Sequence, residues 1–117
     1  MPRSVGKINQ KVIDILGLSI KADTAILLGE SNIEHMKSQH PVDFEKYFDK
    51  LEDILATPDY VAKHPNDGSI QYIKTFEAHV LIGVRVSRKG ALFARTIFEM
   101  SAEKVERYRK RDALKKY

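Results

Sequence analysis

Apolar residues recur every three or four positions over the first half of the chain and every two over much of the second half. In KINQKVIDILGL, Ile8, Val12, Ile13 and Leu16 fall on helical spacing, and Gly17 is placed to end that helix. TAILLGE, residues 24–30, is short and apolar, with the length of a strand or a buried connection. NIEHMKSQHP follows, and Ser31 with Glu34 three residues later has capping-box spacing for a helix there. Pro41 disfavours helical geometry at His40 and so ends it. VDFEKYFDKLEDILATP carries the strongest helical signal, with Phe44, Tyr47, Phe48, Leu51, Ile54 and Leu55 on one stripe and charges opposite. Asp43 is its expected cap, and Pro58 follows its end.

Beyond Pro58 the period changes. PDYVAKHPNDGS reads as a turn-rich connection, and SIQYIKTF, HVLIGVRVS and ALFARTIFEM then alternate, separated by Glu77-Ala78 and by the turn Arg88-Lys89-Gly90. In the second segment Val80, Ile82, Val84 and Val86 share one face, and Leu81, Gly83, Arg85 and Ser87 the other. In the third, Leu92, Ala94, Thr96 and Phe98 alternate against Phe93, Arg95, Ile97 and Glu99. From Ser101 a hydroxyl cap opens a polar run, a C-terminal helix with few core contacts. Helices first and an antiparallel meander second predict an α+β fold. N-terminal helices would pack on one face of an antiparallel sheet of three to four strands, with a basic C-terminal helix after it. The other sheet face would carry Lys74 or its neighbours, Arg85, Ser87 and one of Arg95 or Thr96.

A chain of 117 residues suits a single domain over 1–117, with its core near 5–100 and a basic tail at 101–117. No apolar run approaches the roughly 18 to 20 residues of a membrane helix, and MPRSVGKINQ lacks a signal peptide's apolar stretch. Cytoplasmic residence, away from membranes, is therefore expected. The absence of cysteine removes disulfides, a thiol nucleophile and a thiolate zinc site. The formal charge of +4 is concentrated in SAEKVERYRKRDALKKY, where seven Lys or Arg face three acids. That tail reads either as a phosphate-touching segment or as a solvated helix that ends positive.

The histidine pair in HMKSQH invites a metal reading, but a helix turns about 100° per residue, which sets positions five apart roughly 140° from each other. HMKSQH also lacks the spacing and glutamate of HExxH, so no metal and no cofactor are expected. Proton transfer near neutral pH is one remaining role for these side chains. The other is structural: His40 shares a stripe with Ile33 and Met36 and would pack its ring, while His35 points away from it. His64 and His79 fall in expected loops and carry no pattern. Arg85 and Arg95 interrupt apolar strands, where arginine is costly unless exposed or paired. Cross-strand pairing with Glu77 or Glu99 is one account, and phosphate binding by the planar guanidinium is another. Cations beside a histidine are what metal-free RNA cleavage needs: proton transfer, and positive charge for the developing phosphorane. No GxxxxGK[ST], GxGxxG or GxSxG pattern occurs, and the DGS at 67–69 is a turn signal.

SNIEHMKSQHP, TPDYVAKHPNDGSIQYIKTF, VLIGVRVS and LFARTIFEM, in this order over about residues 24–100, resemble the phage-associated branch of the barnase-EndoU-colicin-RelE-like nucleases. The resemblance implies N-terminal helices followed by a four-stranded antiparallel sheet. It implies a metal-independent endoribonuclease, often a toxin or effector of a phage or mobile element. RNA is then the implied partner, with an inhibitor or immunity protein besides. Carried over by position, it points to His35 and then His40, and to Arg95 with Thr96, as catalytic residues. It points to Tyr60 of the PDYV segment, Lys74, Arg85 and Ser87 as substrate-binding residues. A non-catalytic module that binds nucleic acid or protein on the same fold is the alternative.

Overall fold

A computed structural model describes residues 2–117. The first element is a strand, β1 (Arg3–Lys7), where no element was expected. Asn9 starts α1 (Gln10–Leu16) by accepting the Val12 N–H on its side-chain oxygen at 2.9 Å. The helix buries Val12 and Ile13 and stops at Gly17, whose φ of 64° is left-handed and resisted by residues with a Cβ. TAILLGE forms β2 (Ala25–Leu28).

The next helix, α2 (Glu30–Gln39), begins earlier than the capping pattern predicted. Gly29 is its N-cap, and the Asn32 side chain accepts the Gly29 N–H at 2.8 Å, so Ser31 lies within the first turn. His40 closes α2 and opens α3 (Pro41–Tyr47), with Pro41 at the first helical position. The long helix predicted beyond Pro41 is broken into α3, a 3₁₀ turn at Phe48–Lys50, and α4 (Leu51–Ala56). Asp43 does not cap it; its carboxylate accepts the Glu99 N–H at 3.0 Å.

Four more strands follow: β3 (Tyr60–Lys63), in place of the expected connection, then β4 (Ile70–Thr75), β5 (His79–Val86) and β6 (Leu92–Glu99). After α5 (Ala102–Lys110) comes a short β7 (Lys115–Lys116). All seven join one sheet in the order β1-β2-β6-β5-β4-β3-β7, so three to four strands was too few. Every pairing is antiparallel except β2 with β6, which run parallel over Ile26–Leu27 and Leu92–Phe93. The class is α+β, with a mostly antiparallel sheet.

Each face of the sheet builds its own core. Val80, Ile82, Val84, Leu92, Ala94 and Ile97 pack with Val12 of α1, Met36 of α2, Tyr47 of α3 and Ile54 of α4. On the other face Ala62, Ile73 and Leu81 pack with Met100 and with Val105 and Tyr108 of α5. The C-terminal helix therefore makes core contacts, contrary to its polar appearance. It covers only part of that face, and the uncovered part holds the site. Among the described residues no helix is long and apolar enough to cross a membrane.

Candidate phosphate-binding cleft

The site is built on a slip in register. Gly83 of β5 pairs with Thr96 of β6, but Val84, the next residue, pairs with Ala94. Arg95 is thus an extra residue on β6, a bulge that interrupts the alternation read from the sequence. Beyond it the pattern resets, so Ala94 and Ile97 both face the larger core. Arg95 and Thr96, expected on opposite faces, both line one hollow with Gly83 and Arg85. Gly83 is required there: a Cβ would stand 2.5 Å from the Thr96 methyl carbon Cγ2.

His35 supplies the other wall. Since β2 pairs with only the start of β6, α2 follows within two residues and packs along β6. This brings His35, half-buried, to the hollow with Arg85, Arg95, Thr96, Asp67 and Ser69, in a volume of about 540 Å³. A wider adjoining cleft of about 820 Å³ shares His35, Arg85 and Arg95 and adds Asn32, Ser87, Arg88 and Phe93. The cleft thus runs between the N-terminal half of α2 and the β5–β6 hairpin.

Its charge is unbalanced. Neither Arg85 nor Arg95 has a carboxylate partner within salt-bridge distance among the described residues. Cross-strand pairing does not explain them, because Glu99 accepts from the Lys46 ammonium at 3.1 Å and the Tyr47 hydroxyl at 2.7 Å. Two carboxylates do reach the cleft, Glu30 at the wider part and Asp67 at the hollow. Asp67 accepts from the Ser69 hydroxyl at 2.5 Å and the Ser69 N–H at 2.9 Å. Those bonds hold its carboxyl below the ordinary range, with smaller contributions from His64 and then from the Arg85 charge. Ser87 Oγ accepts the Ala91 N–H at 3.0 Å, and its own proton remains available to a cleft ligand.

Three of the expected site residues lie elsewhere. His40 packs at a tilt against Phe98 with ring centroids 5.0 Å apart, in keeping with a packing role. Tyr60 stacks on His79, which is the first residue of β5 and not a loop residue, at 6.1 Å. Lys74, expected on the cleft face, donates to the Thr57 carbonyl at 2.6 Å and hydroxyl at 3.0 Å, closing the end of α4. Asp67 and Ser69, read from sequence as a turn alone, belong to the cleft. Among the described residues no three His, Asp or Glu side chains gather to hold a metal ion.

No curated protein and no solved structure gives a significant match to the chain. One protein family does, described as phage-Barnase-EndoU-ColicinE5/D-RelE like nuclease3, and it matches residues 3–107, strand β1 through most of α5. The chain belongs to this nuclease-like family.

Proposed function

We propose that the chain is a metal-independent endoribonuclease that cleaves RNA by attack of a 2'-hydroxyl on the adjacent phosphate. The observation that carries this is the pair of unpartnered guanidiniums, Arg85 and Arg95, sharing one cleft with His35 and Thr96. Two arginines supply fixed positive charge for a phosphate whose oxygens gain charge in the transition state, the task a metal performs elsewhere. In the reaction the 2'-oxygen bonds to phosphorus and the bond to the 5'-oxygen breaks. A cyclic phosphate and a free 5'-hydroxyl result.

One proton leaves the 2'-hydroxyl and another arrives on the 5'-oxygen. His35 and Asp67 are the two groups of the hollow beside Arg85 and Arg95 able to exchange them. His35 is the side chain of the two suited to proton transfer near neutral pH, and Asp67, held ionised by Ser69, is the weaker base. Thr96 orients the reacting hydroxyl, and Ser87 contributes a hydrogen bond to substrate in the wider part. His40, packed against Phe98, acts as a packing residue. In a cell this activity suits a toxin or effector of a phage or mobile element, restrained by an inhibitor or immunity protein and acting on cytoplasmic RNA.

The test is cleavage of labelled RNA in excess chelator, with analysis of the product ends. Wild type is expected to form a cyclic phosphate, and His35→Ala and Arg95→Ala each to lower kcat about a hundredfold or more, the lower end for a proton-transfer or charge-stabilising group. His40→Ala is expected to stay within about threefold of wild type, a difference below 1 kcal/mol. Salt-sensitive binding with no turnover would replace the reading with that of a non-catalytic binding module.

A further inference from the structure

A second concave surface, of about 490 Å³, lies between α5 and the start of the turn joining β3 to β4. Ser101 caps α5 by accepting the Lys104 N–H at 3.1 Å, and Val105 and Tyr108 anchor the helix on the sheet. Lys104, Arg107 and Arg111 recur at spacings of three and four, which puts them on one flank of the helix. That flank, with Lys110, forms one wall, and His64, Pro65 and Asn66 form the other.

The acids nearby are committed to other cations. Glu106 lies 3.4 Å from Arg109, and Asp112 lies 3.0 Å from Lys115. Lys104, Arg107, Lys110 and Arg111 have no carboxylate within salt-bridge distance among the described residues. Burial, and then the Arg107 charge, lower the Lys104 ammonium below its usual pKa. Four cations in a concavity without an acid repel one another until an anion enters.

We propose that this groove is a second phosphate subsite, holding the backbone of single-stranded RNA where the strand leaves the catalytic cleft. The inference rests on the ribonuclease reading of that cleft. Continuity comes from the shared turn: His64, Pro65 and Asn66 line the groove, and Asp67 and Ser69, a few residues on, line the cleft. The turn is braced by the bonds of Asp67 to Ser69 and by Asn66 N–H donation to His64 Nδ1 at 3.2 Å. The groove is built for backbone and not for bases. Arg111 covers the Tyr108 ring at 5.1 Å, and the Tyr108 hydroxyl donates to Gln71 at 3.0 Å, so no open aromatic face awaits a base.

The test measures anisotropy of a labelled single-stranded oligoribonucleotide on protein carrying His35→Ala, across a salt series. Adding Arg107→Gln with Arg111→Gln is expected to lower the slope of log affinity against log salt by about 1.4, at roughly 0.7 per lost phosphate contact. Lys110→Gln, a single exposed change, is expected to lower it by about 0.7. Arg109→Gln, outside the groove, is expected to leave it unchanged. Equal slopes in all proteins overturn the subsite, even if the protein with His35 intact cleaves RNA. Reduced slopes together with no cleavage by the protein with His35 intact support the subsite as a binding site and overturn the ribonuclease reading.

Discussion

A Cβ at position 83 would sit 2.5 Å from the Thr96 methyl, a separation real side chains do not tolerate. The neighbour is a β-branched side chain in a bulged strand, so Thr96 can yield only by leaving its place in the cleft. Gly83→Ala is expected to destabilise the fold by about 1–3 kcal/mol, the range for overpacking. Replacing Thr96 by Ser removes the obstructing methyl and keeps the hydroxyl. The double variant Gly83→Ala, Thr96→Ser is therefore expected to regain most of the lost thermal midpoint; a midpoint no higher than that of Gly83→Ala alone would show that the contact is not the cause. The same position shows what a sequence holds at this scale. Arg85 and Arg95 stand out because arginine inside an apolar strand demands a reason. Lys74 has the same signature, yet its ammonium closes the end of α4, and only the fold separates these uses. Alternation forced a choice between Arg95 and Thr96 because a bulge leaves no mark in hydropathy.

At the level of elements, α3 is tied to β6 through Glu99, whose carboxylate accepts from Tyr47 and Lys46. Those two bonds, Tyr47 first, hold the Glu99 carboxyl below its ordinary range. A carboxylate depressed in the folded state stabilises above its unfolded pKa, and that contribution is lost as pH falls through the folded value. Tyr47→Phe is expected to cost about 1–2 kcal/mol at neutral pH, since the lost bond is to a charged acceptor. The gap from wild type should narrow in acid, where Glu99 is protonated in both proteins; denaturant midpoints at several pH values measure it, and a gap constant with pH would refute the ionic origin. The elements read well from sequence were α1 and strands β4 to β6, which carry a one-sided pattern, and α2, which buries only Met36 but is marked by its flanking residues. β1 buries only Val5, too little for a period, and β3 is four residues long between Pro58 and His64-Pro65. The break between α3 and α4 was hidden because Phe44, Tyr47, Phe48, Leu51 and Ile54 keep helical spacing through the 3₁₀ turn.

Across the whole molecule, the least legible features are those that join distant parts of the chain. The parallel β2–β6 pair places α2 beside the bulge and so creates the cleft, but it links residues 26–27 to 92–93 with no local signal in either segment. β7 likewise is two lysines in a polar tail, and its pairing with Tyr60 and Val61 is set by the turn after α5. That last segment fastens one end of the chain to the other. The Tyr117 hydroxyl accepts from the Asn9 side chain at 2.6 Å, and the Tyr117 N–H donates to the Asp59 carbonyl at 3.1 Å. Lys11 lies over the Tyr117 ring at 4.2 Å, while Ala113 and Leu114 pack against the smaller core. A chain shortened to end at Asp112 loses these contacts and also the Ala113 N–H bond to the Tyr108 carbonyl that closes α5. Two or three net hydrogen bonds and the partial burial of a leucine are together worth about 3 kcal/mol. The shortened chain is expected to unfold at lower denaturant by that margin and, because the last turn of α5 frays, to bind single-stranded RNA more weakly. Stability equal to the full chain would mean that β7 holds nothing in place. Lost stability with unchanged RNA affinity would separate the C-terminal tie from the basic groove.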